Sequence, residues 1–512
     1  MDVKWPSGGP RVGLVGAGVM GGGIAQLLAA AGLDVWLFDA DANAAVAARE
    51  RATARFARAV EKGRMTAAQA DAAVGRLRVV AALGDLAGCG LVIEAIAEQL
   101  DAKRALFESL EPIVGDDGVL ATNTSALSVT EIAAACRRPE RVAGLHFFNP
   151  APLMKVVEVV RGVRTSPQVV DALVDLVARV GHRPFAVRDV PGFLVNHAGR
   201  GYVLEALRIL GEGVASAADI DRVLRDGAGF PLGPFELLDL TGLDVSHPVM
   251  ESIYRQFYEE PRFQPTAETA RRLAAGLVGR KCGEGFYRYV DGTAIVPAEV
   301  EPPPDRPSTV WVGRRNAEGH AALVHLLTSR SEGADVETAA IPSAEALCLV
   351  APLGEDATTA ALAEGLDPRR TVAVDPLPGL DRRLTIMATP ITDASRRRQA
   401  HGLLAASGRP VTVIADSAGF IVQRVLATIV NVGCEVAQRR IAAPADIDEA
   451  VTLGLGYPRG PLALGDALGP DLVMTILGRL HQASGEARYR PSPWLRRRAQ
   501  LGVSLTTLDD PE

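Results

Sequence analysis

No uncharged apolar run in this 512-residue chain is as long as a membrane span, so no transmembrane helix is expected. The opening Met1-Asp-Val-Lys-Trp-Pro6 does not read as a secretory leader. Cysteine is scarce. Cys89, Cys136, Cys282, Cys348 and Cys434 stand apart, without the paired spacing of a metal site. Each reads as a small core residue or a stray thiol, and the expected setting is reduced and cytoplasmic. Positive charge is not in excess either. A formal net charge of −7 argues against a nucleic-acid partner. What remains is an ordinary soluble composition, 48% apolar, with a length that suggests about three to four domains.

Against these absences stands one dense motif, Arg11-Val-Gly-Leu-Val-Gly16-Ala-Gly18-Val-Met-Gly21. A short apolar strand runs into G-x-G-x-x-G, a helical pattern follows, and a second apolar strand, Val35-Trp-Leu-Phe38, ends at Asp39. Gly16 allows the tight turn, Gly18 lets a pyrophosphate approach the backbone, and Gly21 lets helix and strand pack closely. The helix then presents unpaired N–H groups and a positive dipole end to the phosphates. Asp39 stands where a carboxylate binds both ribose hydroxyls and repels a 2′-phosphate, which predicts NAD rather than NADP. The alternative is a glycine-rich turn with no ligand.

Strand candidates Leu91-Val-Ile-Glu-Ala95, Val119-Leu-Ala-Thr122 and Val156-Val-Glu-Val-Val160 alternate with helical stretches up to about residue 187. This is a doubly wound α/β pattern. From Pro191 the pattern turns helical, and Pro302, Pro303, Pro304 and Pro307 mark a linker. The chain then repeats itself. Gly192-Phe193 returns as Gly419-Phe420, Asp219-Ile-Asp221 as Asp446-Ile-Asp448, and Gly233-Pro234 as Gly460-Pro461, each 227 residues on. A register held over that span indicates a duplicated helical domain. Thr309-Val-Trp-Val-Gly313 opens a second nucleotide-fold pattern, but Arg315 and Glu318 stand where glycines are needed. The expected fold is therefore α/β plus α: a dinucleotide-binding Rossmann-like domain (1–187), a helical substrate and pairing domain (188–290), a proline-rich linker (291–308), a degenerate Rossmann-like domain without cofactor (309–412) and a second helical domain (413–512). An unrelated α/β spacer is the alternative for the fourth.

Four further features carry candidate chemistry. His146, in Gly144-Leu-His-Phe-Phe-Asn149-Pro150, ends an apolar stretch, where ligands bind at the carboxyl edge of open α/β sheets. A structural histidine fits the same pattern. Glu158 lies among valines, so it needs a partner if buried, unless it faces solvent on an edge strand. Together they suggest more, because a carboxylate beside an imidazole fixes its tautomer and stabilises its protonated form. Thr122-Asn123-Thr124-Ser125 places hydroxyl and amide groups at a strand end, for a ligand or a helix cap. Asn196 faces the first domain if the helical domain closes over the cleft, and otherwise sits on a helix surface.

These residues, with Val92-Ile-Glu-Ala-Ile-Ala-Glu98 and Gly279-Arg-Lys281-Cys-Gly-Glu-Gly-Phe-Tyr287, resemble the 3-hydroxyacyl-CoA dehydrogenases from residue 11 to about 289. The duplicated layout is similar to the bacterial 3-hydroxybutyryl-CoA and 3-hydroxyadipyl-CoA type, associated with β-oxidation and aromatic-acid routes such as phenylacetate catabolism. The resemblance implies NAD-dependent oxidation of a short (3S)-3-hydroxyacyl-CoA, with His146 as general base, Glu158 orienting it, and Ser125 and Asn196 holding substrate oxygens. It implies cofactor contacts from the glycine loop, Asp39, Glu98, Lys103, Ser125, Asn149 and Lys281. The basic segment containing Arg55 and Lys62 lies where the family grips coenzyme A phosphates, although a solvated helix face fits it too. In the second copy Thr385 replaces Glu158, Gln423 replaces Asn196, and no histidine lies near the place of His146. That copy is expected to be inactive and structural, its helical domain pairing with the first within one chain; a homodimer stays open. The competing readings are a dehydrogenase of a free hydroxy or sugar acid, and a non-catalytic NAD-binding structural protein.

Overall fold

The apolar run Val12–Val15 is buried at every residue and forms β1, an inner strand of an eight-stranded sheet. A strand covered on both faces reads as a continuous apolar run, and seven further strands complete the sheet. They are β2 (Val35–Phe38), β3 (Leu77–Val79), β4 (Leu91–Glu94), β5 (Val119–Thr122), β6 (Val142–Phe147), β7 (Val156–Arg161) and β8 (Arg183–Arg188), in the order β3-β2-β1-β4-β5-β6-β7-β8. The chain moves outward through β2 and β3, then returns to the other side of β1. That reversal makes a ligand crevice at the carboxyl ends of β1 and β4. All pairings are parallel except β6 with β7. This one antiparallel pair sets His146 directly opposite Glu158.

The computed structural model describes residues 3, 5, 6, 8–329 and 334–509, which form two units. The first joins residues 1–197 to 439–455, and the second joins 198–438 to 456–512. In the first unit, α1 (Val19–Ala30) starts immediately after Gly18, and α2 (Ala42–Glu61) is capped by the Asp41 side chain. Residues 439–455 belong by sequence to the second half but pack with the first unit. Arg183 reaches Glu449 through Nε and Nη2, each at 2.9 Å, and the Arg188 N–H donates to the Ile441 carbonyl at 3.2 Å.

The second unit contains a short hairpin, β9 (Arg288–Val290) with β10 (Thr293–Ile295), and a six-stranded sheet. The sheet comprises β11 (Thr309–Val312), β12 (Asp335–Glu337), β13 (Leu347–Val350), β14 (Thr371–Val374), β15 (Leu384–Ala388) and β16 (Val411–Ile414), in the order β12-β11-β13-β14-β15-β16. Strands β13 to β16 repeat β5 to β8 in order and direction, including the single antiparallel pair. Among the described residues, β3 and β4 have no counterpart, so the second copy is abridged. Its turn after β11 is closed to phosphate. The Glu364 carboxylate accepts the Arg314 N–H at 2.9 Å, and a Cβ on Gly313 would lie 2.8 Å from the same carboxylate.

The two helical segments meet in this unit. The helix Arg200–Gly211 packs on the helix Val422–Gln438 so closely that a Cβ on Gly201 would lie 2.9 Å from the Ile429 Cα. Glu205, wholly buried, accepts from Arg424 Nε at 2.8 Å and from the Tyr489 hydroxyl at 2.6 Å. The buried carboxylate thus joins the helix Arg200–Gly211 to the helix Val422–Gln438 and to Tyr489.

Register also identifies what stands in the second copy where His146 stands in the first. Val374 pairs with Ile386, and the Asp375 N–H donates to the Thr385 carbonyl at 2.9 Å. Asp375 therefore faces Thr385 as His146 faces Glu158. Gln423 plugs the place of Asn196: its Nε2 donates to Asp375 Oδ1 at 2.8 Å and its Oε1 accepts the Gly354 N–H at 2.6 Å. Burial pushes the Asp375 carboxyl up to about 7, against hydrogen bonds from Gln423 and the Leu377 N–H that favour its charged form. Among the described residues Oδ2 has no hydrogen-bond partner, so a charge there goes uncompensated. The unfolded chain releases this proton near the ordinary value of 3.8, the folded chain only near 7, so the group's contribution to stability falls as pH rises between those values. Asp375→Asn keeps the shape and removes the titration. Its stability relative to the parent is expected to rise by a few kcal/mol between pH 4 and pH 8, since the carboxyl is raised from 3.8 to about 7. Urea melts at the two pH values check this; a pH-independent difference contradicts it.

Candidate active site

The glycine loop fits a dinucleotide. Gly16 has φ +100°, and a Cβ on Gly21 would lie 1.8 Å from the Gly16 carbonyl oxygen, so neither position accepts a side chain. The space in front of Gly18 is open, and no side chain among the described residues caps the N-terminus of α1. Its first-turn N–H groups are thus available to an anion. At the end of β2, Asp39 is held against the loop, with Oδ2 accepting the Ala17 N–H at 2.6 Å and Oδ1 the Asp41 N–H at 2.9 Å.

The ends of β4 and β5 carry a polar cluster only partly visible in the sequence. Glu94 is fully buried and accepts from Lys103 Nζ at 2.5 Å, Thr122 Oγ1 at 2.7 Å and the Ile96 N–H at 2.7 Å. Lys103 projects from α3 (Leu100–Val114); it is 1% exposed and also lies 3.3 Å from Glu98. Glu98 accepts from Thr124 Oγ1 at 2.5 Å and from the Ser125 N–H at 2.9 Å. Lys103 is thus tied to two carboxylates, and Glu98 shapes the Ser125 turn. Glu94 was not among the sequence candidates, although an acid closing an apolar strand was its signal. Asn123 Oδ1 accepts the Phe147 N–H at 2.8 Å, joining this turn to the strand of His146.

His146 Nδ1 lies 2.6 Å from Glu158 Oε2, with both side chains buried. Glu158 is not an exposed edge residue, since β8 covers β7. Its other oxygen, Oε1, accepts the Leu194 N–H at 2.9 Å and the Val195 N–H at 2.8 Å. Those donors sit just beyond Pro191-Gly-Phe, where Gly192 and Phe193 both take positive φ and turn the chain into the next helix. Because a carboxylate accepts, Nδ1 is the ring nitrogen placed to donate to Glu158, and Nε2 has no protein partner among the described residues. The Phe148 and Phe193 rings stand 4.4 and 5.8 Å from the imidazole. Asn196 Nδ2 donates to the Ser125 carbonyl at 3.4 Å, so the Ser125 turn and the Asn196 helix meet beside the pair.

The remaining candidates are Asn149, Arg55, Lys62 and Lys281. Asn149 is exposed, in the turn after β6. Arg55 and Lys62 are exposed on or just after α2, and Arg55 Nη1 donates to Gln26 Oε1 at 3.0 Å. Lys281 belongs to the second unit, where its Nζ pairs with Asp244 Oδ2 at 2.6 Å.

A dinucleotide cradle and an acid-braced imidazole on one sheet define an NAD-dependent oxidoreductase. Comparison with known proteins narrows the class. Residues 11–190 match the 3-hydroxyacyl-CoA dehydrogenase NAD-binding domain, and residues 192–289 and 419–506 both match the C-terminal domain of the same family. The chain belongs to the 3-hydroxyacyl-CoA dehydrogenase family. It is 38% identical over 491 residues to the 3-hydroxyadipyl-CoA dehydrogenase of Escherichia coli K12, covering 96% of this chain and 97% of that one. A crystal structure of 3-hydroxybutyryl-CoA dehydrogenase from Escherichia coli K12 superposes with TM-score 0.83 at 37% identity, covering 96% of this chain and 98% of that one. The (S)-3-hydroxybutyryl-CoA dehydrogenase of Ralstonia eutropha matches 55% of this chain and 99% of its own, with TM-score 0.53 at 38% identity. The double match to the C-terminal domain supports the duplication read from the 227-residue register. No helix among the described residues is long and apolar enough to cross a membrane.

Proposed function

We propose that the protein oxidises a short-chain (3S)-3-hydroxyacyl-CoA to its 3-oxoacyl-CoA, reversibly, with 3-hydroxybutyryl-CoA and 3-hydroxyadipyl-CoA as the substrates its relatives' names suggest. The carrying observation is the buried 2.6 Å contact between His146 and Glu158. Bound NAD supplies the hydride acceptor. His146 Nε2 takes the C3 hydroxyl proton, and Glu158 stabilises the imidazolium that results. Ser125 and Asn196 hold the substrate oxygens. Gly16, Gly18 and Gly21 form the phosphate cradle and Asp39 reads the ribose. Glu98, Lys103, Asn149 and Lys281 contact the cofactor, and Lys103 also holds Glu98. Arg55 and Lys62 bind the coenzyme A phosphates, where arginine and lysine offer exposed charge. Residues 1–187 then serve as the NAD domain, 188–290 as the substrate domain, and 309–512 as a copy without chemistry of its own. The five free cysteines suit a cytoplasmic setting.

Purified protein with NAD, assayed against 3-hydroxybutyryl-, 3-hydroxyhexanoyl- and 3-hydroxyadipyl-CoA and against free 3-hydroxybutyrate, tests the reading. Turnover of at least one thioester well above the free acid is expected. Preference for the free acid would assign the site to a different dehydrogenase.

A further inference from the structure

The helix Pro444–Leu455 comes from the second half of the chain, yet it lies in the first unit beside β7. Arg183 anchors it through Glu449, and Arg183 Nη2 also reaches Asp446 Oδ1 at 3.4 Å. Near the end of the helix, Gly454 meets two valines of the catalytic sheet region. A Cβ built on it would lie 3.1 Å from Val195 Cγ1, 3.5 Å from Val195 Cγ2 and 3.6 Å from Val156 Cγ2. Gly454 has no positive φ, so its backbone does not call for glycine. Glycine in a helix is also a cost relative to alanine. Space is therefore the physical reason for it. The residue it faces is the one whose N–H donates to Glu158 Oε1 at 2.8 Å, and Val156 opens the strand that carries Glu158.

We infer that Gly454 is a positioning residue for the His146–Glu158 pair. By leaving room for Val195, it keeps the Val195 N–H on Glu158 and so keeps Glu158 aligned on the imidazole. The inference rests on the dehydrogenase reading above and extends it: the copy without chemistry contributes a contact on which the chemistry of the first depends.

The full-length protein carrying Gly454→Ala, Gly454→Leu, or Gly454→Ala with Val195→Ala tests this, with kcat, both KM values, the pH profile of kcat and NADH affinity as readouts. A displacement of tenths of an ångström at the pair is expected to lower kcat about threefold in the alanine variant and about 30-fold in the leucine variant. NADH affinity should hold, and the kcat–pH profile should move, because the bonds that brace Glu158 are disturbed. Val195→Ala removes the colliding side chain but keeps the N–H, so it should restore both kcat and the profile to Gly454→Ala. A packing role alone would lower the melting temperature without moving the profile. Gly454 variants with parental kcat and parental profile overturn the inference. If Gly454→Leu does not fold, the alanine variant and its Val195→Ala partner decide. A parent that oxidises no 3-hydroxyacyl-CoA sinks the dehydrogenase reading and this inference with it; an active parent indifferent to Gly454 sinks the inference alone.

Discussion

His146→Gln is expected to lower kcat for a 3-hydroxyacyl-CoA by about 10⁴-fold, at the upper end of what a positioned base contributes. The ring is buried between Glu158, Phe148 and Phe193. Solvent cannot easily replace it as a proton acceptor. Glutamine fills much of the same space and offers an amide in place of Nε2, so on the proposed reading the step from hydroxyl to ketone would lose its base. The glycine loop and Asp39 lie at β1 and β2, at other strands of the sheet. NADH binding, followed by fluorescence titration, should therefore be unchanged. A variant that binds NADH and turns over like the parent would remove His146 from the chemistry.

Glu158→Gln is expected to cost about 10³-fold in kcat. Two consequences combine. The amide has no negative charge to stabilise the imidazolium. It also has one oxygen where the carboxylate had two, and both were in use: Oε1 on the Leu194 and Val195 N–H groups, Oε2 on Nδ1. If the amide oxygen stays with the backbone donors, its NH2 points at Nδ1. That nitrogen must then accept, the ring proton moves to Nε2, and the base is lost. If the amide flips, two N–H groups face an NH2. Either arrangement is poor, and the second also destabilises the turn at Gly192-Phe193. The alternative Glu158→Asp keeps charge but shortens the reach. It should recover part of the rate, which a purely structural Glu158 would not show.

Much of this was legible in the sequence because it was local. The glycine spacing, the acid ending β2 and the valine run around Glu158 each carry their physical reason within a few residues. The duplication was legible because three short motifs, two with glycine and one Asp-Ile-Asp, keep one register. What the sequence did not show depended on long-range pairing. That Asp375 faces Thr385 follows from the β14–β15 register, and a search for a histidine at the second site does not disclose it. The burial of Lys103 between Glu94 and Glu98 depends on α3 folding back over β4; a lysine on a helix ordinarily reads as exposed. The closure of the second phosphate turn was half legible. Arg315 and Glu318 indicated a lost loop, but the carboxylate that occupies it, Glu364, comes from 50 residues further on. The packing of residues 439–455 with the first unit could not be anticipated from a segment that repeats the first helical domain so faithfully.

The central claim is that His146 and Glu158 act as one unit, and a double-mutant cycle on kcat reads this most directly. With parent, His146→Gln, Glu158→Gln and the double variant measured under one condition, the double variant should fall within about threefold of His146→Gln alone, since a brace has nothing to act on once the ring is gone. Two losses that multiply, leaving the double variant slower by the product of both, would mean that the acid and the imidazole work independently, and would contradict the account.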